Sequence, residues 1–161
     1  MAKECEMVEI YTDGSCHTQE KIGGWAALII ANGQKTAISG IAQSTTHNRM
    51  ELTSVIKSVG YVIAHFSGST TIHIYTDSQY VAGLSNRKMK LIQGEMTTKK
   101  GSLIQNADLI TELWTLEEVI EMEFTKVKAH QKKGETINYN IEVDKMARAL
   151  VRKAVAGLGR W

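Results

Sequence analysis

The tetrapeptide Ile-Tyr-Thr-Asp occurs twice in the chain, at residues 10–13 and again at residues 74–77. Each copy closes a short run rich in apolar and β-branched residues, which is typical of a β-strand. An aspartate in that position places a carboxylate at the carboxyl end of its strand. Two such strands lying side by side would aim the carboxylates of Asp13 and Asp77 at one point, which suits a divalent metal ion.

Two further acids, Glu51 and Asp144, lie near the starts of predicted helices. Glu51 falls in the first turn of a long helix, and Asp144 lies near the start of the last one. Taken alone, each is explained as an acid that complements the helix dipole, a contribution below about 1 kcal/mol. Taken with the two aspartates at the strand ends, they fit a dinuclear magnesium site.

The elements that must position these acids are predicted from the periodicity of the apolar residues. Strand patterns fall in five places: up to Asp13, at 25–30, at 34–42, up to Asp77, and at 120–127. Helix patterns fall in four places: about 48–66, 79–84, 107–118 and about 140–156. Asn32-Gly33, between the second and third strands, is a strong signal for a tight hairpin.

The order of these elements bears on the metal hypothesis. A strand joined through a helix to a parallel strand crosses over right-handedly in nearly all proteins. Sheets of this kind place their ligands at the carboxyl ends of the strands. If the first and fourth strands are parallel neighbours, Asp13 and Asp77 lie at the same sheet edge. Glu51 and Asp144 are too distant in sequence for local pairing, so the fold must bring them there.

Length and composition indicate a single globular domain over residues 1–161. The formal net charge of +2 does not by itself indicate a nucleic-acid-binding protein. The charges are unevenly distributed, however, with basic clusters at 87–100, 126–133 and 148–160 and an acidic one at 112–123. A basic face that binds a polyanion is one interpretation of this pattern, and an ordinary solvated surface is the other.

The cysteines and the amino-terminal segment indicate the cellular compartment in which the protein is expected. Cys5 and Cys16 have no spacing that suggests a disulfide framework, and they read as thiols of a reducing compartment. The first residues contain no apolar signal segment, and no run approaches membrane-spanning length. We therefore expect a cytoplasmic protein without a membrane partner.

Four blocks of the sequence resemble type 1 ribonuclease H of the bacterial kind. They are Tyr-Thr-Asp-Gly-Ser-Cys at 11–16, Thr-Thr-His-Asn-Arg-Met-Glu-Leu at 45–52, Tyr-Thr-Asp-Ser-Gln-Tyr-Val at 75–81 and Val-Asp-Lys-Met-Ala-Arg at 143–148. The blocks have the order and spacing of the family, and the resemblance extends from about residue 7 to residue 157. Asp-Gly-Ser alone is a weak signal, whereas Asn-Arg-Met-Glu-Leu combined with Thr-Asp-Ser-Gln-Tyr-Val is highly specific.

The resemblance implies an α/β fold of the ribonuclease H type, with a five-stranded mixed sheet in the order 3-2-1-4-5 flanked by helices. It implies hydrolysis of the RNA strand of RNA–DNA hybrids, leaving 5′-phosphate and 3′-hydroxyl ends. The implied enzyme is a monomer that uses two Mg²⁺ ions, with Mn²⁺ as a substitute. Asp13, Glu51, Asp77 and Asp144 match the family's metal-binding acids. His130 matches a loop histidine that assists proton transfer or product release.

Substrate contacts are also implied by the resemblance. Recognition of RNA requires sensing of the 2′-hydroxyl across the minor groove. The family does this at positions that match Asn48, Gln79 and the backbone of Gly14, Ser15 and Cys16. Thr46 and Asn106 match two members of a pocket for a phosphate of the DNA strand.

Several positions depart from the family pattern. His47 replaces an asparagine that contacts the substrate, and Ser44 stands where the DNA-phosphate pocket often has an arginine. The segment 84–106 has about the length of the family's basic protrusion but lacks its tryptophans. We therefore expect a weaker or redistributed grip on the DNA strand. None of these changes removes an acid.

Three alternatives remain open from the sequence. A hybrid-binding module without catalysis would have lost one of the acids, and none is lost. The same fold also serves integrases, resolvases and some exonucleases, against which the sequence contexts of Glu51 and Asp77 argue. The third alternative is the nuclease domain of a reverse transcriptase, and the short chain beginning at a methionine favours a free-standing enzyme over it.

Overall fold

The structure is a computed structural model that describes residues 7–66, 71–128 and 138–159. Its five strands are β1 (Met7–His17), β2 (Ile22–Ala31), β3 (Gln34–Ala42), β4 (Thr71–Thr76) and β5 (Glu121–Lys126). Its five α-helices are α1 (His47–His65), α2 (Gln79–Ala82), α3 (Leu84–Gln93), α4 (Ala107–Glu117) and α5 (Tyr139–Ala156), which a short 3-10 turn (Gly157–Gly159) follows.

The strands form one mixed sheet in the order β3-β2-β1-β4-β5. The first three pair antiparallel, whereas β4 runs parallel to β1 and β5 runs parallel to β4. The hairpin between β2 and β3 turns at Asn32 and Gly33, whose φ angles of 52° and 74° are those that a two-residue hairpin loop needs. The predicted five-stranded sheet of order 3-2-1-4-5 is therefore confirmed.

The prediction that the first strand ends at Asp13 is wrong. β1 continues to His17 because it has two partners of different length. Its antiparallel pairing with β2 runs on to His17↔Ile22, whereas its parallel pairing with β4 stops at Thr12↔Thr76. Asp13 and Asp77 each follow that last parallel pair, so the two aspartates still lie side by side at one sheet edge.

The prediction that Glu51 lies in the first turn of its helix is also wrong. Thr46 is the N-cap of α1, and its hydroxyl accepts a hydrogen bond from the backbone N–H of Arg49 at 3.2 Å. The helix therefore begins at His47, which places Glu51 in the second turn. A contribution to the helix dipole falls off within the first turn and does not account for this acid.

The single helix predicted at 79–84 is replaced by two helices. The Ser78 hydroxyl caps α2, which ends at Ala82 with Gly83 as its C-cap, and α3 then runs from Leu84 to Gln93. Sequence periodicity missed most of α3 because only its first residue, Leu84, is buried. A helix with one buried residue shows almost no apolar stripe.

Two apolar layers enclose the sheet. On one face, α1 packs on the central strands and α4 packs on α1, in a core that includes Val8, Ile10, Ile72 and Ile74. On the other face, Val143 and Ala147 of α5 pack on Ala26 and Leu28 of β2. Within the described ranges, no helix is long and apolar enough to span a bilayer.

A glycine sets how closely α1 approaches the sheet. A Cβ atom on Gly14 would lie 2.5 Å from the backbone nitrogen of Glu51 and 2.5 Å from the carbonyl carbon of Met50. Both of these are backbone atoms, which cannot swing aside. The absence of a side chain at Gly14 therefore allows α1 to place Glu51 directly beside the end of the β1–β4 pairing.

Gly14→Ala should destabilise the protein by about 1–3 kcal/mol, the usual cost of overpacking a close contact. Gly60→Ala is the matched control, because a Cβ there meets nothing within 4 Å and α1 gains helix propensity. We expect that control to be neutral or stabilising by up to about 1 kcal/mol. Urea unfolding of both variants measures the difference, and equal stabilities would contradict the close-approach account.

Candidate active site

Three carboxylates meet at the sheet edge that the topology defines. Asp13 of β1, Glu51 of α1 and Asp77, just after β4, each offer an oxygen, and these oxygens all lie within 4.8 Å of one another. Asp13 is 3% exposed and Glu51 is 1% exposed. Among the described residues this group has the oxygen-rich composition that Mg²⁺ and Ca²⁺ prefer.

The surroundings of these acids disfavour their charged forms. Burial raises the pKa of Asp13 to about 10, and the neighbouring charges of Glu51, Asp77 and Asp144 add to the rise. Burial and the charge of Asp77 raise the pKa of Glu51 to about 8, although the Asp13 carboxyl and the Gly14 amide partly offset the increase. Like charges held this close without a counterion cannot all remain ionised.

A metal ion fits this arrangement. Within the part of the chain that the structure describes, Glu51 Oε2 is buried and receives no hydrogen bond. A buried carboxylate oxygen without a donor is costly in a folded protein. A divalent cation bound among the three acids would give that oxygen a ligand bond and remove the mutual repulsion.

Asp144 lies at the rim of this group rather than within it. Its Oδ1 accepts a hydrogen bond from Arg148 Nε at 3.1 Å, one helical turn further along α5. Its carboxyl nevertheless lies close enough to Asp13 to raise the pKa of that residue. The structure thus brings the four predicted acids to one place, three as a tight cluster and the fourth beside it.

A cavity of about 660 Å³ opens over the acids. Six of the eight predicted substrate-contact residues line it: Gly14, Ser15, Cys16, His47, Asn48 and Gln79. Thr46 and Asn106 do not. The Asn106 side chain accepts from Arg49 Nη1 at 3.3 Å and donates to the Tyr80 hydroxyl at 3.1 Å, to one side of the cavity.

Sequence reasoning missed two basic residues of this cavity. Arg148 and Arg152 line it together with Asp144. They follow Asp144 at intervals of four residues, so the three share one face of α5. That spacing is a usable signal in the sequence, where charge distribution alone places the two arginines in a basic end of the chain. The predicted histidine His130 lies outside the described residues.

The sequence model of the RNase H family matches residues 5–152, and the chain belongs to that family. It is 40% identical over 150 residues to the ribonuclease H of Anaplasma marginale, an alignment that covers 91% of each chain. It is 32% identical over 148 residues to the ribonuclease H of Caldicellulosiruptor saccharolyticus, with 91% of this chain and 97% of the relative covered.

Solved structures of RNase H proteins share the fold. LC9-RNase H1, described as a type 1 RNase H with the type 2 active-site motif, superposes with a TM-score of 0.76 at 23% identity, over 95% of this chain and 75% of that one. LC11-RNase H1 in complex with an RNA/DNA hybrid gives a TM-score of 0.68 at 15% identity, over 92% and 99% of the two chains.

The raised pKa values predict how the stability of the metal-free protein depends on pH. Above about pH 4 the carboxyls of the unfolded chain are ionised, whereas the folded chain holds its protons up to about pH 8 at Glu51 and about pH 10 at Asp13. The folded state therefore binds more protons, and its stability falls as the pH rises through this window.

Asp13→Asn removes one of these groups, so it should raise the melting temperature in EDTA at about pH 9 by several degrees and flatten the alkaline slope. Asp108→Asn is the control, because Arg49 lowers the pKa of that exposed carboxyl to about 2, outside this window. Scanning calorimetry across the pH range checks both variants. An Asp13→Asn slope as steep as that of the unmodified protein would contradict the assignment.

Proposed function

We propose that the chain is a metal-dependent endoribonuclease that hydrolyses the RNA strand of RNA–DNA hybrids and leaves 5′-phosphate and 3′-hydroxyl ends. The observation that carries the proposal is the cluster of Asp13, Glu51 and Asp77 at the edge of an RNase H sheet. Membership of the RNase H family and relatives that are themselves named ribonuclease H support it. The complex of LC11-RNase H1 with an RNA/DNA hybrid supports the choice of substrate.

The proposed cofactor is Mg²⁺, with two ions per site and Mn²⁺ as a substitute. Asp13, Glu51, Asp77 and Asp144 would hold the ions, since carboxylate oxygens are the ligands that Mg²⁺ takes from proteins. When bound, such ions would supply activation of the attacking water and charge stabilisation of the leaving 3′-oxygen. Phosphoryl transfer asks little covalent chemistry of a protein, so the remaining residues act by positioning and by charge.

The residues around the acids have side chains suited to the other parts of a hybrid. Arg148 and Arg152 place positive charge on the cavity wall, where a phosphate backbone entering an acidic site needs it. Asn48 and Gln79 line the same cavity and offer amide groups that can recognise a 2′-hydroxyl. His130 is proposed, from the family pattern alone, to move a proton or to assist product release.

Thr46 and Asn106 are proposed to bind a phosphate of the DNA strand. Neither residue lines the cavity, and both lie beside it. Arg49 holds Asn106 and also pairs with Asp108 through two hydrogen bonds of 3.0 and 2.9 Å. This pairing fixes the start of α4 against the start of α1 and keeps Thr46 and Asn106 on one side of the site. A monomeric state and a cytoplasmic location are proposed from the sequence.

A non-catalytic hybrid-binding module is the second candidate. It has no specific support, since each acid that catalysis requires is present. A nuclease domain of a reverse transcriptase would carry the same site and differ only in what is attached to it. Metal-dependent cleavage separates the first candidate from the second.

With a labelled RNA–DNA hybrid and Mg²⁺, the protein should cleave the RNA strand and leave the DNA strand intact. Asp77→Asn should lower the rate by more than about 100-fold, because it removes one ligand charge from the metal site. Glu118→Gln, which changes an exposed acid outside the cavity, is the control and should retain full activity. Absence of RNA cleavage, or equal cleavage of both strands, would refute the proposal.

A further inference from the structure

A histidine at the rim of the cavity contacts the most deeply buried of the acids. His47 Nε2 lies 3.1 Å from Glu51 Oε1. The side chain of His47 is 61% exposed, whereas that of Glu51 is 1% exposed. This contact joins a group that solvent reaches to a carboxylate that solvent does not reach.

We infer that His47 is a positioning residue, which holds Glu51 Oε1 and leaves Oε2 to bind the metal ions. The inference rests on the proposed metal site and extends it. In this role His47 orients the Glu51 carboxylate. The role is separate from the substrate contact that the place of His47 in the family pattern implies.

Local geometry favours this contact. His47 is the first residue of α1 and Glu51 lies four residues on, so both side chains emerge on the same face of the helix. The Thr46 cap fixes the backbone at that end. Since an ionised carboxylate only accepts hydrogen bonds, the ring donates from Nε2–H when Glu51 is a metal ligand.

The two carboxylate oxygens of Glu51 therefore differ: one accepts a hydrogen bond from His47 and the other is available to a metal ion. The terminal torsion of a glutamate is broad, so an unrestrained carboxylate can present either oxygen over a wide range of angles. His47 engages Oε1, while Oε2 has no donor among the described residues. Ligating carboxylates are commonly oriented by such hydrogen bonds from residues that do not touch the metal.

The test separates positioning from substrate contact by measuring metal binding without substrate. Mn²⁺ is titrated into the full chain in the absence of hybrid and followed by electron paramagnetic resonance. His47→Phe keeps the ring and removes the donor, and it should raise the Mn²⁺ dissociation constant by about 10-fold. His47→Gln restores an N–H at a similar reach and should recover most of the affinity. His65→Phe, at the far end of the same helix, is the control.

Kinetics on the hybrid give a second readout. The positioning role predicts that His47→Phe lowers kcat and that raising the Mn²⁺ concentration recovers it, with KM for the hybrid little changed. Unchanged Mn²⁺ affinity in both His47→Phe and His47→Ala, with an effect confined to KM, would overturn the inference and leave substrate contact as the role. The alanine variant serves the same comparison without an exposed ring.

The measurements distinguish a wrong positioning role for His47 from a wrong metal site. If the unmodified protein cleaves hybrid and Asp77→Asn weakens Mn²⁺ binding while the His47 variants bind normally, only the positioning role is wrong. If the unmodified protein binds no Mn²⁺, or Asp77→Asn binds it as well as the unmodified protein, the metal site itself is wrong and the positioning role falls with it.

Discussion

Several carboxylates are buried at a single sheet edge, and this electrostatic constraint determines what the site can bind. Asp13 and Glu51 are almost fully removed from solvent, and Asp77 lies within 4.8 Å of both. In a protein interior such a group is costly unless protons or a cation balance the charge. The raised pKa values of Asp13 and Glu51 describe the proton-balanced form. The proposed function makes use of the cation-balanced form.

The fold holds these acids together by packing that the charges themselves cannot provide. The end of the parallel pairing between β1 and β4 sets Asp13 beside Asp77. Gly14 lets the backbone of α1 come within contact distance of β1, and the Ser54 hydroxyl anchors the helix to the Ala26 carbonyl at 2.6 Å. The apolar side of α1 is buried in the main core, so the position of Glu51 is determined by core packing. Stability and catalytic geometry are thus linked through the same helix.

Much of this arrangement could be predicted from the sequence, because the signals were local or strongly periodic. The Asn32-Gly33 hairpin follows from turn chemistry. The strand order was implied by the resemblance to type 1 ribonuclease H, because crossover handedness alone leaves the neighbours of each strand open. The end of β1 was predicted wrongly because β1 pairs with β2 over a longer stretch than with β4. No residue in the sequence of β1 signals where the shorter pairing stops. Helix α3 was missed because exposed helices lack an apolar stripe. The contact between His47 and Glu51 and the lining by Arg148 and Arg152 depend on side-chain direction, which spacing suggests but does not determine.

Proton release on metal binding shows whether the buried acids are protonated in the metal-free protein. If carboxyls with pKa values of about 8 and about 10 bind a divalent ion, they must lose protons to do so at neutral pH. Calorimetric titration of Mn²⁺ into the protein, repeated in two buffers with different ionisation enthalpies, counts the protons released. Net release is expected at about pH 7, and it should decrease as the pH rises through about 8, where Glu51 ionises in the metal-free protein. Metal binding without any proton release would contradict this expectation, because the acids would then already be ionised in the metal-free protein.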